Sequence, residues 1–118
     1  MSVHTRSQKL AQAAYDRIAR HGKPNKEFVS FAKKFPALIH TCGLAQAVAF
    51  ALAKKEMAYI ADLTEVLKAA GHSEITERES LDHHARTKQL SGYLRLSRDA
   101  INAAGWLKRY VEAAGEGD

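Results

Sequence analysis

Apolar positions recur at helical spacing along almost the whole chain, and no stretch alternates with the period of two that a half-buried strand needs. The pattern predicts an all-α fold of about six helices. A first helix over about Thr5–His21 sets Leu10, Ala14 and Ile18 on one face and stops at Gly22, with Pro24 just beyond. Asn25 can cap a second, short helix to about Lys34, with Phe28, Phe31 and Ala32 inward. Phe35 precedes Pro36, and the residue before a proline resists helical backbone, so a break is expected there.

Pro36 suits the first turn of a third helix, where its missing N–H is not needed, and that helix runs to about Lys54. Leu38, Ile39, Ala45, Val48, Ala49 and Leu52 make it apolar nearly all round, which predicts that residues 36–54 form the central helix of a compact bundle. Gly43 in its interior costs about 1 kcal/mol relative to Ala, which a close helix crossing would offset. A fourth helix over about Glu56–Ala70 presents Ile60, Leu63 and Leu67 and ends at Gly71. Thr76 and Glu79 have capping-box spacing and should open a fifth helix to about Lys88. Gln89–Ser97 contains Gly92 and reads as a connection, with Tyr93, Leu94 and Leu96 covering the core. Ser97 then caps a last helix over about Arg98–Ala114, striped by Ile101, Ala104, Leu107 and Val111, and Gly115–Asp118 is expected to fray. No linker, repeat or low-complexity tract interrupts this, so residues 1–118 read as a single helical domain.

Composition changes the picture in two ways. The lone Cys42 excludes an internal disulfide and a multi-cysteine zinc site, which fits a reducing cytoplasm, and in an apolar helix it reads as an unreactive thiol. The polar stretch Met1–Leu10 is not a secretory signal. The apolar run Pro36–Ala53 is long enough for a span, but His40, Thr41, Gly43 and Gln46 interrupt it, and a buried helix is the better reading.

Charge is polarised. Residues 1–55 hold ten Lys/Arg against Asp16 and Glu27, whereas residues 56–118 hold eight against eleven acids. Arg6, Lys9, Arg17 and Arg20 fall on one face of the first helix, Lys23 and Lys26 carry the charge into the turn, and Lys33, Lys34, Lys54 and Lys55 flank the next apolar segment. Such a face suits a polyanion, and neutralising about four phosphates of a single strand would give a log–log salt slope near −2.8. An ordinary solvated helix face has the same composition.

Candidate chemistry is sparse. Glu79, Asp82, His83 and His84 lack the spacing of an HExxH pair or a two-His, one-carboxylate site, so no metal is expected and the histidines read as surface residues. His40, beside Cys42, reads as a hydrogen-bonded interior residue. No nucleophile elbow, phosphate-binding Gly-rich loop or cofactor motif occurs, so no catalytic residue and no cofactor are assigned. Trp106 and Tyr110, at i, i+4 beside Lys108 and Arg109, can stack a base, but packing or a protein contact is the favoured reading.

The run Gly43-Leu44-Ala45-Gln46-Ala47-Val48-Ala49-Phe50, preceded by Pro36 and followed by Lys54, resembles the central helix of the small, fifth subunit of the Cmr-type (type III-B) CRISPR effector complex. Tyr93 and then Trp106-Leu107-Lys108-Arg109 follow in that family's order and approximate spacing, so the likeness spans Pro36 to Arg109; Cys42 stands where the family pattern has a small polar residue, often Asn. The resemblance implies a helical, non-enzymatic subunit present in several copies beside the backbone and large subunits, lining the groove where target RNA pairs with the guide. With the basic face read above, the candidate RNA contacts are Arg17, Arg20, Lys23, Lys33, Lys34, Lys54 and Lys55, joined by Lys108 and Arg109 because they lie in the motif that the family shares, and Trp106 and Tyr110 are candidate protein contacts. The rival reading is a pure assembly subunit whose basic residues meet acidic partners rather than RNA.

Overall fold

The computed structural model describes residues 4–115, so all but Gly115 of the expected frayed tail lies outside the described residues. Six helices follow in order: α1 (Arg6–Ala19), α2 (Lys26–Cys42), α3 (Leu44–Ala53), α4 (Met57–Ala69), α5 (Arg78–Thr87) and α6 (Leu90–Ala114). Extents of 43 × 42 × 22 Å make the molecule about two helix diameters thick. Leu10, Ala14 and Ile18 of α1 are buried as the pattern requires, and so are Ile60, Leu63 and Leu67 of α4. Thr5 closes a capping box with Gln8 and Asn25 caps α2 through the Phe28 amide, each satisfying donors that a helix start leaves open.

The two breakers between residues 25 and 54 exchange roles. α2 continues through Pro36, although the proline ring removes the donor for the Ala32 carbonyl. Phe28, Phe31, Phe35 and Ile39 form one buried stripe that crosses the proline, α2 as a whole packs on α6, and this burial outweighs the missing hydrogen bond. The chain turns instead at Gly43, where φ 84° and ψ 161° lie in a region essentially restricted to glycine. Its amide donates to Ile39 O, and a Cβ there would stand 3.3 Å from the Tyr93 hydroxyl. Residues 36–54 are therefore parts of two helices, with Ala49 and Phe50 exposed on the second.

α6 is the central element. It packs on α2 and α1 most extensively and also on α4 and α5. The expected connection 89–97 is its first two turns: Gly92 sits near the helix start, and Leu96 is fully buried while Leu94 is 57% exposed rather than covering the core. Ser97 lies inside the helix rather than capping one. The expected capping box of α5 is not formed either, because Glu77 occupies the N-cap and Ser80 Oγ instead accepts from the Thr76 amide and donates to Glu74 O. Under the helices, Tyr59 fills the centre of a cluster of Phe28, Phe31 and Phe35.

Candidate functional site

Two carboxylates missed in the sequence organise the basic face. Asp62 on α4 is buried, and it accepts Arg17 Nε at 2.8 Å while its second oxygen lies 2.8 Å from His21 Nε2. Asp99 on α6 is fully buried, and its Oδ2 accepts Arg6 Nη1 at 2.9 Å and meets His72 Nε2 at 2.7 Å. A buried carboxylate needs such partners, because desolvation otherwise disfavours its charge strongly. Arg6 and Arg17 thus tie α1 to buried carboxylates, whereas Lys9 on α1 and Arg20 at its C-cap are exposed without such a partner among the described residues. The histidines were expected at the surface; His83 is exposed, but His72 is buried and His21 is held against Asp62. His40, expected inside, is exposed near the end of α2, since it stands one position past the buried Ile39 and so about 100° around the helix from the core stripe. Both acids had a legible signal, standing at i+3 from Tyr59 and from Leu96 on otherwise apolar stripes.

Lys34 and Lys54, twenty residues apart in sequence, converge on one aromatic pair. Phe31 and Phe50 stack at 6.4 Å with 12° between planes. Lys34 Nζ lies 5.5 Å from the Phe31 centroid and 5.7 Å from that of Phe50, and Lys54 Nζ lies 5.6 Å from Phe50. Ring faces attract and position ammonium groups at this range. Glu27 and Glu56 share the shallow cleft of about 250 Å³. Burial, with the charge of Glu27, raises the Glu56 pKa against the opposing pull of Lys34 and Lys54.

Lys55 follows at φ 61°, an unusual backbone for a residue with a Cβ. Its amide donates to Leu52 O and that of Glu56 to Ala51 O, the paired bonds that close a helix with a left-handed residue. Lys23, Lys33, Lys54 and Lys55 are exposed, and the run from Arg20 through Lys23 to Lys33 and Lys34 follows the α1–α2 connection into α2.

Lys108 and Arg109 line a cleft of about 300 Å³ with Pro36, Gly105 and Glu112. Trp106 stacks on Tyr110 at 5.9 Å, and Tyr110 meets Tyr15 edge-on at 5.5 Å. Trp106 and Tyr110 are half-buried against the core, so the outermost ring of this cluster is Tyr15, 53% exposed on α1. Tyr15 has a sequence signal of its own, an aromatic on the polar face of an amphipathic helix. Among the described residues no group of three His, Cys, Asp or Glu is placed to hold a metal ion, and no helix is long and apolar enough to cross a membrane.

Comparison with known proteins places this arrangement. The chain is 35% identical over 113 residues to the Cmr subunit Cmr5 of the CRISPR system of Thermus thermophilus, covering 94% of this chain and 96% of that protein. The X-ray crystal structure of a CRISPR-associated Cmr5 family protein from Thermus thermophilus superposes with a TM-score of 0.82 at 36% identity, over 96% of this chain and 100% of the other. Residues 6–114, nearly the whole of the described fold, match the family of the CRISPR-associated protein Cas_Cmr5, and the chain belongs to that Cmr5 family.

Proposed function

We propose that this protein is the non-catalytic small subunit of a type III-B CRISPR effector complex and that its basic surface holds the backbone of target RNA paired with the guide. Family membership supports the place in the complex. The observation that carries the RNA contact is the convergence of Lys34 and Lys54 on Phe31 and Phe50, with Lys55 exposed beside them. An A-form duplex is held through phosphates and shape, so lysines fixed in position suffice without base-reading groups. Arg20, Lys23 and Lys33 extend the surface, and Lys108 and Arg109 add a further pair of candidates. Arg17 belongs to it less directly, since its Nε is committed to Asp62. The partners in this reading are the backbone and large subunits, neighbouring copies of the chain and guide–target RNA, in the cytoplasm and without a membrane.

Charge reversal at Arg20, Lys54 and Lys55 tests this in the reconstituted complex. Arg17 is left intact because its loss would strand Asp62. The expected result is weaker target-RNA binding and a shallower salt slope, since fewer phosphates are neutralised. Unchanged affinity and slope would remove RNA contact from this surface. A second reading, assembly without RNA contact, draws on Glu27 and Glu56, which offset the two lysines in their cleft, and on the Trp106–Tyr110–Tyr15 cluster, of a type that anchors protein partners.

A further inference from the structure

The C-terminal half is the acidic part of the sequence, yet the fold gathers cations there. A cleft of about 370 Å³ opens between the start of α1, the α4–α5 turn, the end of α5 and the first turns of α6, lined by Arg6, His72, Glu74, His84, Lys88 and Arg95. Glu74 is the one carboxylate among these lining residues. Asp99 lies beneath, sealed from solvent. Its pairing with Arg6 fixes the arginine without exhausting it: Nη1 serves Asp99 Oδ2 and Ala70 O, which leaves the other guanidinium donors, on a half-exposed side chain, for a further acceptor. Lys88 is held in the same way. Its Nζ is 3.0 Å from Glu74, and an ammonium carries three donors. Arg95 is exposed and has no acidic partner among the described residues. Elements far apart in sequence thus present unspent donors to one concavity, those of Arg6 and Lys88 held in place by ion pairs, which is the arrangement that recognises a phosphate oxygen.

We propose that this cleft is a second phosphate site, distinct from the Lys34–Lys54 surface, and that it takes a phosphodiester of an RNA strand. The proposal rests on the reading of this subunit as a holder of RNA. Arg6 and Arg95 supply planar donor forks to the phosphate, Lys88 supplies a point charge, and His84 adds a ring nitrogen at the rim. Glu74 is the built-in competitor, occupying Lys88 until phosphate draws the ammonium away. The cleft is concave and walled by four segments, which suits a single tetrahedral group better than the flat, extended contact of an acidic protein surface.

Binding of a short fluorescent oligouridylate to the purified chain at low salt, followed by anisotropy and by the backbone amide signals of Gly71 and Gly92, tests the assignment. Arg95→Glu, at an exposed and unpaired position, should weaken binding about tenfold and move the titration of both glycine signals to correspondingly higher RNA concentration. Glu74→Gln should strengthen binding severalfold by releasing Lys88, a gain that misfolding does not produce. Arg86→Glu, on α5 outside the cleft, should change little. If Arg95→Glu and Glu74→Gln leave affinity unchanged while Lys34→Glu/Lys54→Glu abolishes it, the cleft is not a phosphate site and the Lys34–Lys54 reading stands. If polyglutamate shifts the glycine signals and RNA does not, the cleft takes an acidic protein and the proposal fails. If RNA neither shifts the glycine signals nor raises the anisotropy, the second site and the reading beneath it both fall.

Discussion

His72 Nε2 lies 2.7 Å from the Oδ2 of Asp99, joining the turn after α4 to the middle of the longest helix at a point closed to water. Arg6 reaches the same oxygen from α1, so one carboxylate fastens three segments. Removing one member of a buried ionic group strands the rest, which typically costs 3–5 kcal/mol, and the half-exposed Arg6 reduces that here. Asp99→Ala should therefore lose about 2–4 kcal/mol in urea unfolding, and Asp99→Asn, which keeps an acceptor oxygen, should lose less. Equal stability of Asp99→Ala and the parent would show that the network does not hold the helices together.

The exchange of roles between Pro36 and Gly43 has a measurable signature. Gly43→Ala places a Cβ in a backbone region that side chains avoid and 3.3 Å from the Tyr93 hydroxyl, so a loss of about 1–3 kcal/mol is expected. Pro36→Ala restores the donor for Ala32 O inside a continuous helix and should be neutral or stabilising. Thermal melts of the two variants would reverse in order if the chain broke at the proline.

Lys55 and Gly71 occupy the same left-handed position after their helices, with φ 61° and 106°, but only Gly71 is free of a Cβ. Lys55→Gly should raise stability by about 0.5–1 kcal/mol by relieving that strain. The same change should weaken target-RNA binding by the assembled complex, because it deletes a candidate phosphate partner. Opposite signs in the two assays would identify Lys55 as a residue kept at a cost to folding; a stability gain with unchanged RNA binding would show that its charge has no part in holding RNA.

Much of the fold is legible in the sequence because helix periodicity is local: Leu10, Ala14 and Ile18, or Ile60, Leu63 and Leu67, declare their face without reference to the rest of the chain. Breakers are less legible. Pro36 and Gly43 each carry a local penalty of known size, and which one the chain accepts depends on whether Phe35 and Ile39 are buried by the helices packed against α2, which is tertiary information. The first turns of α6 were obscured in the same way, since exposed Leu90 and Leu94 blur the apolar stripe and Gly92 imitates a turn. The candidate site follows suit. The basic residues can be counted in the sequence, but their partners cannot: Asp99 pairs with Arg6 across 93 positions and Asp62 with Arg17 across 45, so Arg17 looked like a free cation until the fold closed on it.

Glu74 supplies a pH test. Burial pushes its pKa up, but hydrogen bonds from Lys88 and the backbone, with the charges of Lys88 and His72, outweigh this and leave it lowered. A carboxyl held low in the fold adds stability that is complete above the unfolded glutamate pKa of about 4.3 and is lost as pH falls through the folded value. Glu74→Gln should accordingly be less stable than the parent at neutral pH and should match it near about pH 2. A pH-independent difference would mean that the residue acts through packing alone.

Photo-crosslinking of the reconstituted effector complex, loaded with target RNA carrying photoreactive uridines and mapped by mass spectrometry, tests the central claim most directly. RNA should attach to peptides of this subunit that contain Lys34, Lys54 or Lys55, and attachment should fall when those residues are reversed to glutamate. Crosslinks found on the other subunits alone, with none on this chain, would contradict the account and leave it an assembly protein.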